Sequence, residues 1–447
     1  MPLDPLAPVA TREFATLIDR LGPFEPEPEI AIACSGGPDS MALAVLAHEW
    51  AVSRSGRAVA LIVDHGLRDG SAAEAALTRR RLNSTGIKAY ILKWTGDKPA
   101  RGIQEEARRA RYSLLEEWCR RRGVLHLLLA HQRDDQAETV LQRLVRASGP
   151  KGLAAMAPMR ETGSVRLLRP LLSVPRRRLM ATLSVRKIES VDDPSNRNFA
   201  FERVRQRAAM PVLRTLGLTP ESLTGVAQRF ALERQDIESE TGLALARHAS
   251  VFEEGYATLP SAFLSQTGKR TVLDVLDSLI CAVGGRRYPT RRERLERLYR
   301  GLENGAVGRG RTLSGCMVRS DGETILIARE PGRILPVDIE EGAEVLWDGR
   351  FRVRLKAPMK GTKPRRFRLE PLKPGFLKET GDETVSALAG TLPALVRQSL
   401  PALYDRAGLV AVPHLGYPRE TKNGAQVMES IDFMPEKPVT QAVFSVV

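Results

Sequence analysis

At 447 residues the chain is long enough for about three domains, and with 43% apolar and 27% charged residues it reads as a soluble globular protein. An apolar run near the ~20 residues that span a bilayer, a basic-then-apolar leader at the N-terminus and a C-x-x-C pair among the four cysteines (Cys34, Cys119, Cys281, Cys316) are all missing, which argues against a membrane or secreted protein, a disulfide framework or a local zinc or iron–sulfur site and makes the cytoplasm the expected compartment. The formal charge of +15, from 68 basic against 53 acidic residues, is rich in arginine and points to a polyanionic partner, nucleic acid first. EIAIAC (29–34) reads as a buried strand ending in a glycine turn, with SMALAVLAHEWAVSR as the helix after it. AVALIVDH (58–65) and KAYILKW (88–94) read as further strands, with a helix near 71–85 between them. An amphipathic helix over 104–122 leads to a fourth strand, VLHLLLAH (124–131), and a helix from about 133 to 147. This alternation predicts an α/β fold, a doubly wound parallel sheet covered on both faces, and the continuous apolar strands agree. Beyond about residue 215 the pattern turns to charged helices over 219–249 and 270–300. A hairpin over 311–330 follows, turning at Ser320-Asp321-Gly322, then a Pro-containing linker at 330–338 and short strands. The expected domains are a catalytic domain over 1–215, a mainly helical domain over 216–335 and a small α+β module over 336–447.

Ser35-Gly36-Gly37-Pro38-Asp39-Ser40 sits between the first strand and its helix, where an open parallel sheet places its ligand. Glycines let the backbone approach a phosphate, and the helix-start N–H groups and serine hydroxyls can hold the anion. A tight turn capped by Ser35 or Ser40 would use the same residues. The loop is not a Walker A sequence and has no lysine for the terminal phosphates. Cys34, just before it, reads as a small buried strand residue.

His131-Gln132-Arg133-Asp134-Asp135-Gln136-Ala137-Glu138-Thr139 follows the fourth strand. Asp134, Asp135 and Glu138 crowd one helix end, where i,i+3 and i,i+4 like charges repel by a few tenths of a kcal/mol per pair. Acids favour a helix N-terminus in any protein, which accounts for one or two of them. A bound cation, magnesium or a ligand ammonium, would offset the repulsion of three. Upstream, Arg108 and Arg111 stand at i,i+3 beside Tyr112, as a solvated basic face or as a phosphate or substrate contact.

The SGGxDS loop resembles that of the N-type ATP pyrophosphatases, the PP-loop family. SGGxDS followed by H-x-x-D-D-x-x-E-T is similar to its tRNA-modifying members. VDHGLR (63–68), SGPKGLAAM (148–156) and DDPSNRNFAFERVRQRAAMPVL (192–213) resemble segments of the tRNA(Ile)-lysidine synthetase family. The likeness is strong over roughly 28–215 and weaker beyond, where TLSGC (312–316) is only generally similar; Ala155 stands where the family often has glycine. The resemblance implies an ATP-dependent ligase that adenylates the C2 oxygen of the wobble cytidine of a CAU-anticodon isoleucine tRNA, releases pyrophosphate, and lets the ε-amine of free lysine displace AMP. It implies that Ser35, Gly36, Gly37, Pro38, Asp39 and Ser40 bind ATP, with Asp39 on magnesium and Asp64 and His65 near the nucleotide. Arg111 would contact ATP phosphate or lysine, and Asp135 and Glu138 would take the lysine ammonium. His131 and Asp134 would line the cytidine pocket, Arg203, Arg205 and Arg207 would contact tRNA, and both C-terminal domains would grip it; no protein partner is evident.

Two other PP-loop chemistries compete. Cytidine 2-thiolation relies on cysteines, often in C-x-x-C pairs, which this chain lacks. A small-molecule amidotransferase or synthetase leaves the basic surplus and the D-P-S-N segment unexplained. A non-catalytic RNA-binding protein would not need every polar position of the loop.

Overall fold

In a computed structural model of the chain, residues 7–96, 98, 102–191, 202–308, 310–419 and 426–440 are described. The D-P-S-N segment (193–196) therefore lies outside the described residues, as does the Arg203 side chain. The chain forms two compact units that meet in sequence between Glu238 and Ser239.

The first unit opens with α1 (Thr11–Asp19) and then alternates β1 (Glu29–Ala33), α2 (Pro38–Val52), β2 (Arg57–Asp64), α3 (Ser71–Ser84), β3 (Lys88–Lys93), α4 (Ile103–Arg122), β4 (His126–Leu128) and α5 (Arg133–Val145). The turn α6 (Pro150–Leu153), the strands β5 (Met159–Glu161) and β6 (Arg166–Leu168), and the helices α7 (Arg176–Val185) and α8 (Glu202–Thr215) follow, and α9 (Pro220–His248) begins in this unit and continues past Glu238 into the second. The sheet order is β3-β2-β1-β4-β6-β5, parallel except for the β5 edge. Ile30 and Ile32 pack with α2 and α7 on one face, while Ala31 packs with Leu115 and Cys119 of α4 on the other. Both faces of β1 are buried, which is why its sequence is an unbroken apolar run. Strand order reverses between β1, beside β2, and β4, so the loops after β1 and β4 open side by side at the sheet's carboxyl edge.

The second unit holds an antiparallel sheet of order β7-β8-β11-β10-β9, built from β7 (Ser250–Val251), β8 (Ala257–Pro260), β9 (Arg311–Leu313), β10 (Cys316–Ser320) and β11 (Thr324–Arg329). The expected hairpin is β10–β11: Asp321 Oδ1 accepts the N–H groups of Glu323 and Thr324 at 3.1 and 2.7 Å. Three helices, α10 (Phe263–Gln266), α11 (Lys269–Val283) and α12 (Arg292–Glu303), carry Phe263, Leu276 and Leu298 into one core with Val318, Ile325 and Ile327. The single helix read over 270–300 is thus two, broken at Gly284-Gly285 and Pro289, and the "mainly helical" segment also contains a five-stranded sheet.

The remaining strands are β12 (Val337–Glu340), β13 (Glu344–Trp347), β14 (Phe351–Leu355), β15 (Arg366–Pro371), β16 (Pro401–Asp405), β17 (Gly408–Val412), β18 (Tyr417–Pro418) and β19 (Met428–Phe433), in sheets β12-β15-β16-β17-β18 and β13-β14-β19. They belong to the same compact unit. Tyr256 and Ala328 share a core with Leu372, Leu400 and Tyr404. Asp348 binds Arg329 at 2.8 Å and the fully buried Arg350 at 2.7 Å. The boundary read at 335 passes through this packed core, and the expected linker is a short turn at Pro331–Arg333 followed by a strand.

Candidate active site

Pro38 at the first helical position and the extended backbone of Gly37 start α2 without a side-chain cap, so its leading N–H groups are not taken by the protein's own side chains. Gly36 has φ +87°, and a Cβ there would run into the Thr78 hydroxyl, so only glycine fits. The Ser40 hydroxyl donates to the Gly37 carbonyl at 3.0 Å and accepts from the Ser35 N–H at 3.2 Å, which braces the loop from within. Ser40 therefore shapes the cradle through its side chain. Cys34 is buried, and burial pushes its thiol up, as a structural strand residue requires.

Asp39 opens α2. Its buried Oδ1 has no hydrogen-bond partner, and the nearest cation is Arg176 Nε at 3.6 Å. Burial raises this carboxyl to about 6; Arg176 counteracts burial while Asp135 adds to it. Across the crevice, Gln132 and Asp135 cap α5 reciprocally, Gln132 accepting from the Asp134 N–H at 2.6 Å and Asp135 Oδ2 from the Gln132 N–H at 3.1 Å. Asp134 Oδ2 accepts from the Arg176 N–H at 3.3 Å.

The cation that offsets the acids of α5 is supplied by the chain itself. Arg207 on α8 donates through Nε to Glu138 Oε1 at 2.5 Å and stands 3.6 Å from Asp135 Oδ1. The sequence reading looked for that cation in magnesium or a ligand ammonium; here Arg207 faces Glu138 and Asp135, whereas Arg205 is exposed.

Asp64, at the end of β2, accepts from Ser71 Oγ at 2.7 Å and the Gly66 N–H at 3.0 Å. Neighbouring His65 has a buried Nδ1 without a partner, and burial together with the charge of Arg111 lowers its basicity. His131, after β4, accepts at Nδ1 from Arg169 Nε at 3.3 Å.

A family model for the PP-loop domain matches residues 6–213. The tRNA(Ile)-lysidine synthase of a Bradyrhizobium species is 40% identical over 70% of this chain and 92% of its own length. That of Ruegeria pomeroyi is 36% identical over 74% and 77% of the two chains, and that of the Wolbachia of Brugia malayi is 31% identical over 89% and 91%. The chain belongs to the tRNA(Ile)-lysidine synthase family.

In this family member the SGPKGLAAM stretch is tied to α5: Gln136 donates to the Met156 carbonyl and accepts from its N–H, both at 2.9 Å. Ala155 beside it has φ +54°, a left-handed conformation that explains the glycine usual there. Sequence reasoning missed Arg169. It is buried after β6, donates to the Ala157 carbonyl at 2.7 Å, and with Arg108, Arg111 and Arg160 surrounds Tyr112. Burial raises the Tyr112 phenol, and those positive charges outweigh it, so the group falls below its ordinary value. The available signal was the arginine's place just past a parallel strand, a strand the sequence reading did not assign. Among the described residues no helix is long and apolar enough to cross a membrane.

Proposed function

We propose that the chain ligates free lysine to C2 of the wobble cytidine of a CAU-anticodon isoleucine tRNA, in two steps at the β1/β4 crevice. The observation that carries this reading is that Arg176 joins the two motifs: its Nε lies 3.6 Å from Asp39 Oδ1 of the phosphate loop, and its backbone N–H donates to Asp134 Oδ2 at the start of α5 at 3.3 Å.

In the first step the C2 oxygen of cytidine attacks the α-phosphorus of ATP and pyrophosphate leaves. The Ser35–Ser40 loop and the start of α2 cradle the phosphates. Asp39 fits a magnesium site, because its buried oxygen lacks a partner and magnesium is commonly held by one or two carboxylates plus phosphate oxygens. When bound, the ion would neutralise charge on the departing phosphates. Asp64 and His65 flank the nucleotide, and Arg111 reaches its phosphates or the lysine. Adenylation turns a poor electrophile into one with a good leaving group.

In the second step the lysine ε-ammonium gives a proton to the Asp135–Glu138 pair, the free amine attacks C2, and AMP departs with the former C2 oxygen. His131 and Asp134 line the cytidine pocket, and the exposed Arg205 approaches the tRNA backbone. The test is a nuclease digest of treated isoleucine tRNA analysed by mass. A cytidine carrying lysine should form only when ATP and lysine are both supplied. An unmodified digest, or a sulfur-bearing cytidine, overturns the reading.

A further inference from the structure

Strands β4 and β6 run parallel and in register from His126–Arg166 to Leu128–Leu168, and the Leu129 N–H donates to the Leu168 carbonyl at 2.8 Å. His131 and Arg169, which follow them, therefore leave the same edge of the sheet side by side. Arg169 is buried and held at three points. Its Nη1 donates to the Ala157 carbonyl at 2.7 Å, its backbone N–H to the Pro158 carbonyl at 2.8 Å, and its Nε to His131 Nδ1 at 3.3 Å. The guanidinium is thus anchored by groups outside the reaction crevice and turned on one nitrogen of the histidine ring.

That contact decides which ring nitrogen carries the proton. A guanidinium has N–H donors and no acceptor, and it keeps its charge at any pH at which the protein works. The nitrogen it faces must offer a lone pair, so His131 Nδ1 is unprotonated and the neutral ring carries its one proton on Nε2. An imidazolium would set an Nδ1–H against the guanidinium N–H, donor against donor. Arg169 therefore holds His131 as a neutral ring whose Nε2–H is a donor.

A fixed donor distinguishes the two pyrimidines. Cytosine and uracil both carry an oxygen on C2, so the atom that is adenylated does not tell them apart. They differ at N3, which is an acceptor in cytosine and an N–H donor in uracil. An Nε2–H donor pairs with cytosine N3, whereas uracil would leave two donors facing each other, and a site built to hydrogen-bond rejects a base that leaves its polar groups unpaired. We propose that Arg169 is the positioning residue for base choice: by fixing His131 as an Nε2–H donor, it admits cytosine at the wobble position and turns uracil away. The inference rests on the ligase reading for the base in the pocket, and on the Arg169–His131 contact for the tautomer.

Two measurements on the full-length protein test this, with Arg169→Met, which removes the donor, and Arg169→Lys, which retains one. In the first, the six histidines are labelled with nitrogen-15 and their tautomers are read from two-bond proton–nitrogen correlations, His131→Gln assigning the signals. Wild type and Arg169→Lys should show His131 protonated at Nε2, and Arg169→Met should show both tautomers. In the second, lysine incorporation is compared on isoleucine tRNAs assembled with cytosine or 3-deazacytosine at the wobble position, the latter having C–H in place of N3. Wild-type kcat/KM should fall about tenfold or more on the deaza base. Arg169→Met should be slower on cytosine and lose most of that discrimination, and Arg169→Lys should keep it, a rescue that a merely structural role would not give. An unchanged cytosine-to-deaza ratio in Arg169→Met, or a wild-type His131 protonated at Nδ1, overturns the proposal and leaves the ligase reading standing. Lysine on neither tRNA with wild type overturns the ligase reading, and the base-choice proposal with it.

Discussion

Arg207 and Glu138 lie 69 residues apart in sequence and share a hydrogen bond of 2.5 Å. The guanidinium sits on the acid pair assigned to the lysine ammonium, so substrate and side chain compete for the same carboxylates. Replacing Arg207 by Gln should tighten lysine binding to the tRNA-free protein by about tenfold, ~1.4 kcal/mol, in equilibrium dialysis. Weaker binding would mean that the arginine helps hold lysine instead of displacing it.

Glu138→Gln addresses the second step alone. Charge-assisted hydrogen bonds to such a group are worth about 1.5–3 kcal/mol, so the lysine concentration for half-maximal product should rise roughly 10- to 200-fold. Pyrophosphate release without lysine should fall much less. If adenylation collapses while the lysine requirement is unmoved, Glu138 serves the nucleotide or metal.

Asp39→Asn should abolish pyrophosphate release and raise the melting temperature at neutral pH. A carboxyl raised to about 6 binds more protons folded than unfolded, so its contribution to stability falls as pH rises from about 4 to about 6. Asparagine removes that loss. The difference in melting temperature between variant and wild type should therefore grow across this window, and wild-type activity should rise through about pH 6 as the carboxyl ionises. A pH-independent difference would contradict the buried-charge account.

Deleting residues 336–447 strips Arg329 of Asp348 and strips Tyr256 and Ala328 of their core. Breaking a buried ion pair costs about 3–5 kcal/mol, so residues 239–335 should become protease-sensitive in limited digestion. A resistant fragment ending near 335 would restore the boundary drawn from the prolines.

The sheet and both motifs were legible because they depend on short-range pattern. EIAIAC can be a strand buried on both faces, SGGPDS a strand-to-helix turn, and HQRDDQAET a capped helix start. What the sequence could not yield was pairing over distance. Nothing local tells that Arg207 turns inward while Arg205 does not, that Arg169 backs His131, or that Arg329 reaches Asp348. The acids of α5 show in the sequence as a cluster of like charge, but the cation that meets Glu138 stands on another helix. Gly284-Gly285 marks the break after α11, but the charged helical periodicity that resumes at Arg291 masks it in the sequence.

The most direct measurement is retention of labelled lysine on tRNA by the purified chain. With ATP and an isoleucine tRNA transcript bearing the CAU anticodon, acid-insoluble label should accumulate toward one lysine per tRNA. It should vanish when ATP is omitted or when the wobble cytidine is replaced by uridine. Label that appears without ATP, or equally on the uridine transcript, or not at all, would contradict the account.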